Sequence, residues 1–110
     1  VIKSNDKSDS RLGRCYELSY KLATSKINSV LVHGYIKDKH GRIIDHAWVE
    51  IGDTVYECVL DKTCSKEVYY RIIAVEVSKV YTFDETIEMS LKHRTYGPWH
   101  EVKNCIWWEV

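Results

Sequence analysis

Two runs of alternating residues, separated by Gly52-Asp53, dominate the middle of the chain. Residues 42–51 read Arg-Ile-Ile-Asp-His-Ala-Trp-Val-Glu-Ile, and residues 54–60 read Thr-Val-Tyr-Glu-Cys-Val-Leu. Gly-Asp between β-branched and aromatic runs is the signature of a two-residue hairpin turn. Such a turn fixes the register: Ile51 faces Thr54, Glu50 faces Val55, Trp48 faces Glu57 and His46 faces Val59. Side chains two apart share a face, so His46, Trp48, Glu50, Val55, Glu57 and Val59 fall together. Glu57 is then a diagonal cross-strand neighbour of His46. Their Cα atoms would be about 7–8 Å apart, a gap that a long side chain closes. A three-residue turn would move Glu57 to the other face.

The flanking sequence supplies a second layer. Residues 1–13 are polar, with Ser4, Asn5, Asp6, Ser8, Asp9 and Ser10 clustered. They read as a flexible arm ahead of a single domain over 14–110. Tyr16, Tyr20, Ala23 and Ile27 recur at helical spacing, and Leu18 and Leu22 widen the stripe, which predicts a broadly buried helix over about 14–26. Residues 29–36 predict a strand, with Gly34 as a bulge or close-approach point. After Asp61 the expectation is a short loop, a helical turn near 66–70 and a fourth strand over 71–81. In that strand Ile73, Val75 and Val77 share one face, and Ile72 and Ala74 the other. Thr82, followed three residues later by Glu85, forms a capping-box pattern for a helix over 83–92 that Gly97-Pro98 ends. Cys105-Ile106-Trp107-Trp108 is apolar enough for a last strand or a docking segment. The order helix, antiparallel strands, late helix is α+β, with the N-terminal helix packed on an antiparallel sheet.

At 110 residues the chain can build its own core. Sixteen basic residues balance sixteen acidic ones and no Lys/Arg run stands out, so nucleic acid is not expected as a partner. Runs such as Ile72-Ile73-Ala74-Val75 are too short for a bilayer, so no membrane partner is expected either. No secretory leader pattern opens the sequence. The start at Val1 and the single Met89 read as a processed product or a module of a longer polypeptide. Cys15, Cys58, Cys64 and Cys105 admit two disulfides in three connectivities, yet their density is low for a disulfide scaffold, and reduced thiols in a cytosol are expected. Cys58-x5-Cys64 and His100-x4-Cys105 lack the paired spacing of structural zinc sites. Neither a metal nor a cofactor is expected.

Cys15 falls where the first helix begins. Free cysteine ionises near 8.5, and helix N-termini and imidazolium neighbours lower this to roughly 3.5–7.5. His46 would take the thiol proton and return it to a leaving group. Glu57 would fix the tautomer of the ring and stabilise its charged form. The Cys15 N–H, unpaired at the helix start, would serve an oxyanion. Singly, each residue has an ordinary reading: Cys15 as a small buried hydrophobe, His46 as a packing residue, Glu57 as an exposed strand carboxylate. Glu50 is a second candidate orienter, or a structural partner of a helix or of Arg42. Asp61 fits a turn. Cys58 faces away from His46 and reads as a buried structural thiol, and Cys64 as a loop thiol without a base. Trp48 either shields His46 or fills the core. Tyr96-Gly97-Pro98-Trp99-His100 reads as a turn with a core-filling tryptophan, or as a substrate wall or partner surface.

Gly13-Arg14-Cys15 before an apolar helix, Leu31-Val32-His33-Gly34-Tyr35, His46-Ala47-Trp48-Val49-Glu50 and Val55-Tyr56-Glu57 together resemble the transglutaminase-like branch of the papain-like superfamily. The resemblance covers residues 13–61, and His-Ala-Trp-Val-Glu is its most specific piece. It implies a papain-like fold with Cys15 as nucleophile, His46 as base and Glu57 as orienter. The orienter is usually Asp, so Glu57 departs from the pattern by one methylene. For the second oxyanion donor, Asn5 and Ser10 are candidates by position and His33 is another. The implied activity is that of a peptidase, deamidase or acyltransferase acting on the amide of a protein or peptide. The fold also serves as the effector module of secreted bacterial toxins, acting in a target cytosol. There an immunity or inhibitor protein is the partner to expect. The alternative is a catalytically inactive domain that serves as a protein-interaction module.

Overall fold

The fold was obtained as a computed structural model, which describes residues 14–99. The expected arm over 1–13 and the expected strand at 105–108 lie outside the described residues. In chain order the elements are α1 (Cys15–Ala23), β1 (Val30–Lys37), β2 (Ile43–Ile51), β3 (Thr54–Glu57), β4 (Lys62–Ser65), α2 (Lys66–Ile72), β5 (Ala74–Tyr81) and α3 (Phe83–His93). The strands form an antiparallel sheet of order β4-β3-β2-β1-β5. The architecture is α+β, with the N-terminal helix packed on that sheet.

The β2–β3 hairpin has the register its turn requires: Ile51 pairs with Thr54, Glu50 with Val55 and Val49 with Tyr56. Gly52 supplies the positive φ, 58°, that a tight hairpin turn needs at its first central residue. The ladder then stops. β3 ends at Glu57 rather than at 60, so the expected pairs Trp48–Glu57 and His46–Val59 are not part of it. The chain turns back through Asp61, whose φ is 56°, and β4 pairs with β3 from Lys62 opposite Glu57. β4 reads Lys-Thr-Cys-Ser and is largely exposed, so no apolar alternation announces it.

The expected strand over 71–81 divides. The Ser65 hydroxyl accepts from the Val68 N–H at 3.2 Å and caps α2, which runs to Ile72. β5 starts at Ala74, lies at the sheet edge and leaves Val75, Val77 and Val80 exposed. Its apolar content reflects strand preference rather than burial. Register shifts between β1 and β5 fall between His33 and Gly34 and between Tyr35 and Ile36. A Cβ at Gly34 would lie 2.2 Å from the Glu76 carbonyl oxygen and 3.1 Å from the Trp48 ring, so the position is both bulge and close approach. The capping box of α3 is present, with Thr82 and Glu85 satisfying each other's backbone N–H groups.

Alternation gives the sheet two packed faces. Val32, Ile36, Trp48 and Val55 cluster with Tyr69 and Tyr70 of α2. Leu31, Val49 and Tyr81 on the other face pack with Ala23 and Leu22 of α1, Met89 of α3, and Trp99. Among the described residues, no helix is long and apolar enough to cross a membrane.

Candidate active site

Cys15 is the first residue of α1 and is buried. The first backbone bond of the helix runs from the Leu18 N–H to the Arg14 carbonyl at 2.9 Å, so the N–H groups of Cys15, Tyr16 and Glu17 precede it. Arg14 offers no side-chain cap; its guanidinium turns to Glu17 at 2.9 and 3.0 Å. The helix start therefore directs backbone donors and the positive end of its dipole at the sulfur's surroundings.

His46 lies on β2 with its side chain on the sheet face opposite the one that α1 covers. The β2–β3 ladder ends at Val49, which leaves the 46–48 stretch of β2 without a β3 partner. There the buried Ser19 hydroxyl of α1 donates to the Ala47 carbonyl at 3.1 Å, fixing helix to strand one turn beyond Cys15. The Cys15 thiol lies close enough to the His46 ring to raise its ionisation. On the other side of the ring, His46 Nε2 is 2.7 Å from Glu57 Oε1. With Nε2 so engaged, Nδ1 is the ring nitrogen left for the sulfur.

The three residues of the expected triad are thus gathered around one imidazole. Burial alone would hold His46 neutral, but the bonds to Cys15 and Glu57 and their charges outweigh it and push the ring up to about 9. At neutral pH the ring is an imidazolium between two partners able to carry negative charge. Glu57 Oε1 also accepts from the Tyr69 hydroxyl at 3.0 Å. Trp48 is fully buried, stacks on His46 at 6.4 Å between centroids and meets Tyr69 at 5.1 Å, so it both shields the ring and fills the core.

Other sequence candidates fall elsewhere. Glu50 does not reach His46. It accepts from Trp48 Nε1 at 3.0 Å and from the Tyr70 hydroxyl, and pairs with Lys66 Nζ at 3.3 Å, which makes it the structural anchor of α2 rather than an orienter. His33 is buried on the α1 face among Tyr16, Tyr81 and Trp99, with ring centroids 4.8, 5.0 and 5.3 Å away. That enclosure removes it as an oxyanion donor. Asn5 and Ser10 lie outside the described residues, and Trp99 packs as a core-filling ring. Cys58 sits on the α1 face, and burial pushes its thiol up to about 11; burial raises Cys64 as well. Cys15, Cys58 and Cys64 are unbridged. Among the described residues no three His, Cys, Asp or Glu side chains converge as a metal would require.

Sequence reasoning missed Tyr69, Ser19 and the Tyr16 hydroxyl, which donates to Asp45 at 3.0 Å. Ser19 had a signal, a small polar residue one turn from Cys15 on an apolar helix face. No family model, curated protein or solved structure matches this chain.

Proposed function

We propose that this protein is a cysteine-nucleophile enzyme acting on amide bonds, of the papain-like and transglutaminase-like kind that its motifs resemble. The observation that carries the reading is a buried imidazole that lies 2.7 Å from the Glu57 carboxylate and whose ionisation the thiol at the helix start also raises. A proton that leaves the Cys15 sulfur resides on His46, and Glu57 and burial hold the ring in place. The thiolate attacks the amide carbon, the carbonyl π electrons move to oxygen, and the helix-start N–H groups stabilise that charge. As the C–N bond breaks, His46 gives its proton to the departing nitrogen and a thioester remains on Cys15. His46, now neutral, takes a proton from water or an amine that attacks the thioester, and the C–S bond breaks to return the Cys15 thiolate beside the protonated ring, giving hydrolysis, deamidation or amide exchange. The substrate class is therefore an amide of a protein or peptide. The resemblance extends to toxin effector modules, for which an immunity protein covering Cys15 is the partner.

The test is alkylation by iodoacetamide near neutral pH, read cysteine by cysteine by mass spectrometry. Cys15 should react far faster than Cys58, Cys64 or Cys105, and His46→Ala should abolish the difference. Equally slow labelling of all four would end the enzymatic reading and favour an inactive interaction module.

A further inference from the structure

We infer that Tyr69 is a positioning residue for the triad, holding Glu57 Oε1 against His46. The inference rests on the Cys15–His46–Glu57 reading and extends it to a helix outside the motif region. Both hydrogen bonds to the Glu57 carboxylate converge on one oxygen: His46 Nε2 at 2.7 Å and the Tyr69 hydroxyl at 3.0 Å. The other oxygen, Oε2, is buried and has no hydrogen-bond partner among the described residues. The orientation of the carboxylate therefore depends on what reaches Oε1. A glutamate has one more rotatable bond than an aspartate, and a single contact leaves more of that freedom than two contacts do.

Tyr69 is built to supply the constraint. Its side chain is fully buried, with the ring 5.1 Å from Trp48 and 6.3 Å from Tyr70 between centroids. The helix that carries it is capped by Ser65 and tied to the same sheet face through Tyr70 and Lys66 on Glu50. Adjacent tyrosines of one short helix thus take hold of two glutamates, one structural and one in the site. Burial, and then the charge of Glu57, raise the ionisation of Tyr69 above the ordinary phenol range, so its hydroxyl keeps its proton at neutral pH. The titratable groups that feel the Glu57 carboxylate are His46 on β2, Cys58 in the turn after β3, Cys64 on β4 and Tyr69 itself.

The experiment is Tyr69→Phe on the full chain, alone and combined with Glu57→Gln, read by the Cys15 alkylation rate from pH 5 to 10. Phenylalanine keeps the ring contacts and removes only the donor. The expected result is a loss of about tenfold at pH 7, the low end for one hydrogen bond to a charged group, with the acid limb of the profile moved to higher pH. In the Glu57→Gln background the same change should have no further effect, because the carboxylate it positions is gone. An unchanged rate and profile in Tyr69→Phe, beside fast Cys15 labelling in the parent, would overturn the positioning role and leave the enzymatic reading intact. Slow Cys15 labelling in the parent would remove both. Circular dichroism establishes that the variant folds. If it does not, the Tyr69 hydroxyl proton of the parent carries the test by NMR: slow exchange with a contact to the Glu57 side chain supports the role, and fast exchange with solvent overturns it.

Discussion

Glu57→Gln keeps the shape of the side chain that faces His46 and removes its charge. With Oε1 2.7 Å from Nε2, the charge centres lie roughly 4 Å apart. At an effective dielectric of about 20 that separation is worth about 4 kcal/mol, or about three pK units. The amide oxygen of glutamine still accepts a hydrogen bond, and Cys15 still faces the ring, so part of the shift survives. His46 should fall by about two units, from about 9 to about 7. The sign follows from the chemistry: the parent ring keeps its proton as pH rises until about 9, whereas the variant loses it through the neutral range. The assay is an NMR titration of the imidazole Cε1–H signals, with His46→Gln assigning the resonance among the five histidines of the chain. Cys15→Ala, measured in parallel, isolates the thiol's share. An inflection that stays within about half a unit of the parent value in Glu57→Gln would refute the claim that the carboxylate holds the ring charged.

Two further outcomes test the scaffold. Gly34→Ala places a methyl 2.2 Å from the Glu76 carbonyl oxygen, and urea denaturation should show a loss of about 3 kcal/mol or more, the upper range for overpacking. Glu50→Gln removes the charge that pairs with Lys66 while keeping an acceptor for Trp48 and Tyr70. It should cost about 1 kcal/mol in stability and leave the Cys15 alkylation rate within about twofold. A large fall in that rate would return Glu50 to the site.

The hairpin was legible because Gly52-Asp53 and strict alternation leave one register, which suffices to put Glu57 on the His46 face. Two things escaped. Val68-Tyr69-Tyr70-Arg71-Ile72 is rich in β-branched and aromatic residues and reads as no more than a helical turn to about 70, with strand from Arg71. A single Ser65 cap and packing on Trp48 make it helix, and with it appears the donor to Glu57. Nor does alternation say that Cys15 and His46 can meet, since it assigns the helix and the imidazole to opposite faces. The early end of β3, followed by the turn at Asp61, leaves the 46–48 stretch of β2 open.

That short third strand has a consequence of its own. Were the ladder to continue past Val49, the sheet would form an unbroken wall, with sulfur on one side and imidazole on the other. Sheet continuity and thiol chemistry are in competition here. Variants that extend the pairing of β3 by two residues should gain stability while Cys15 loses contact with its base.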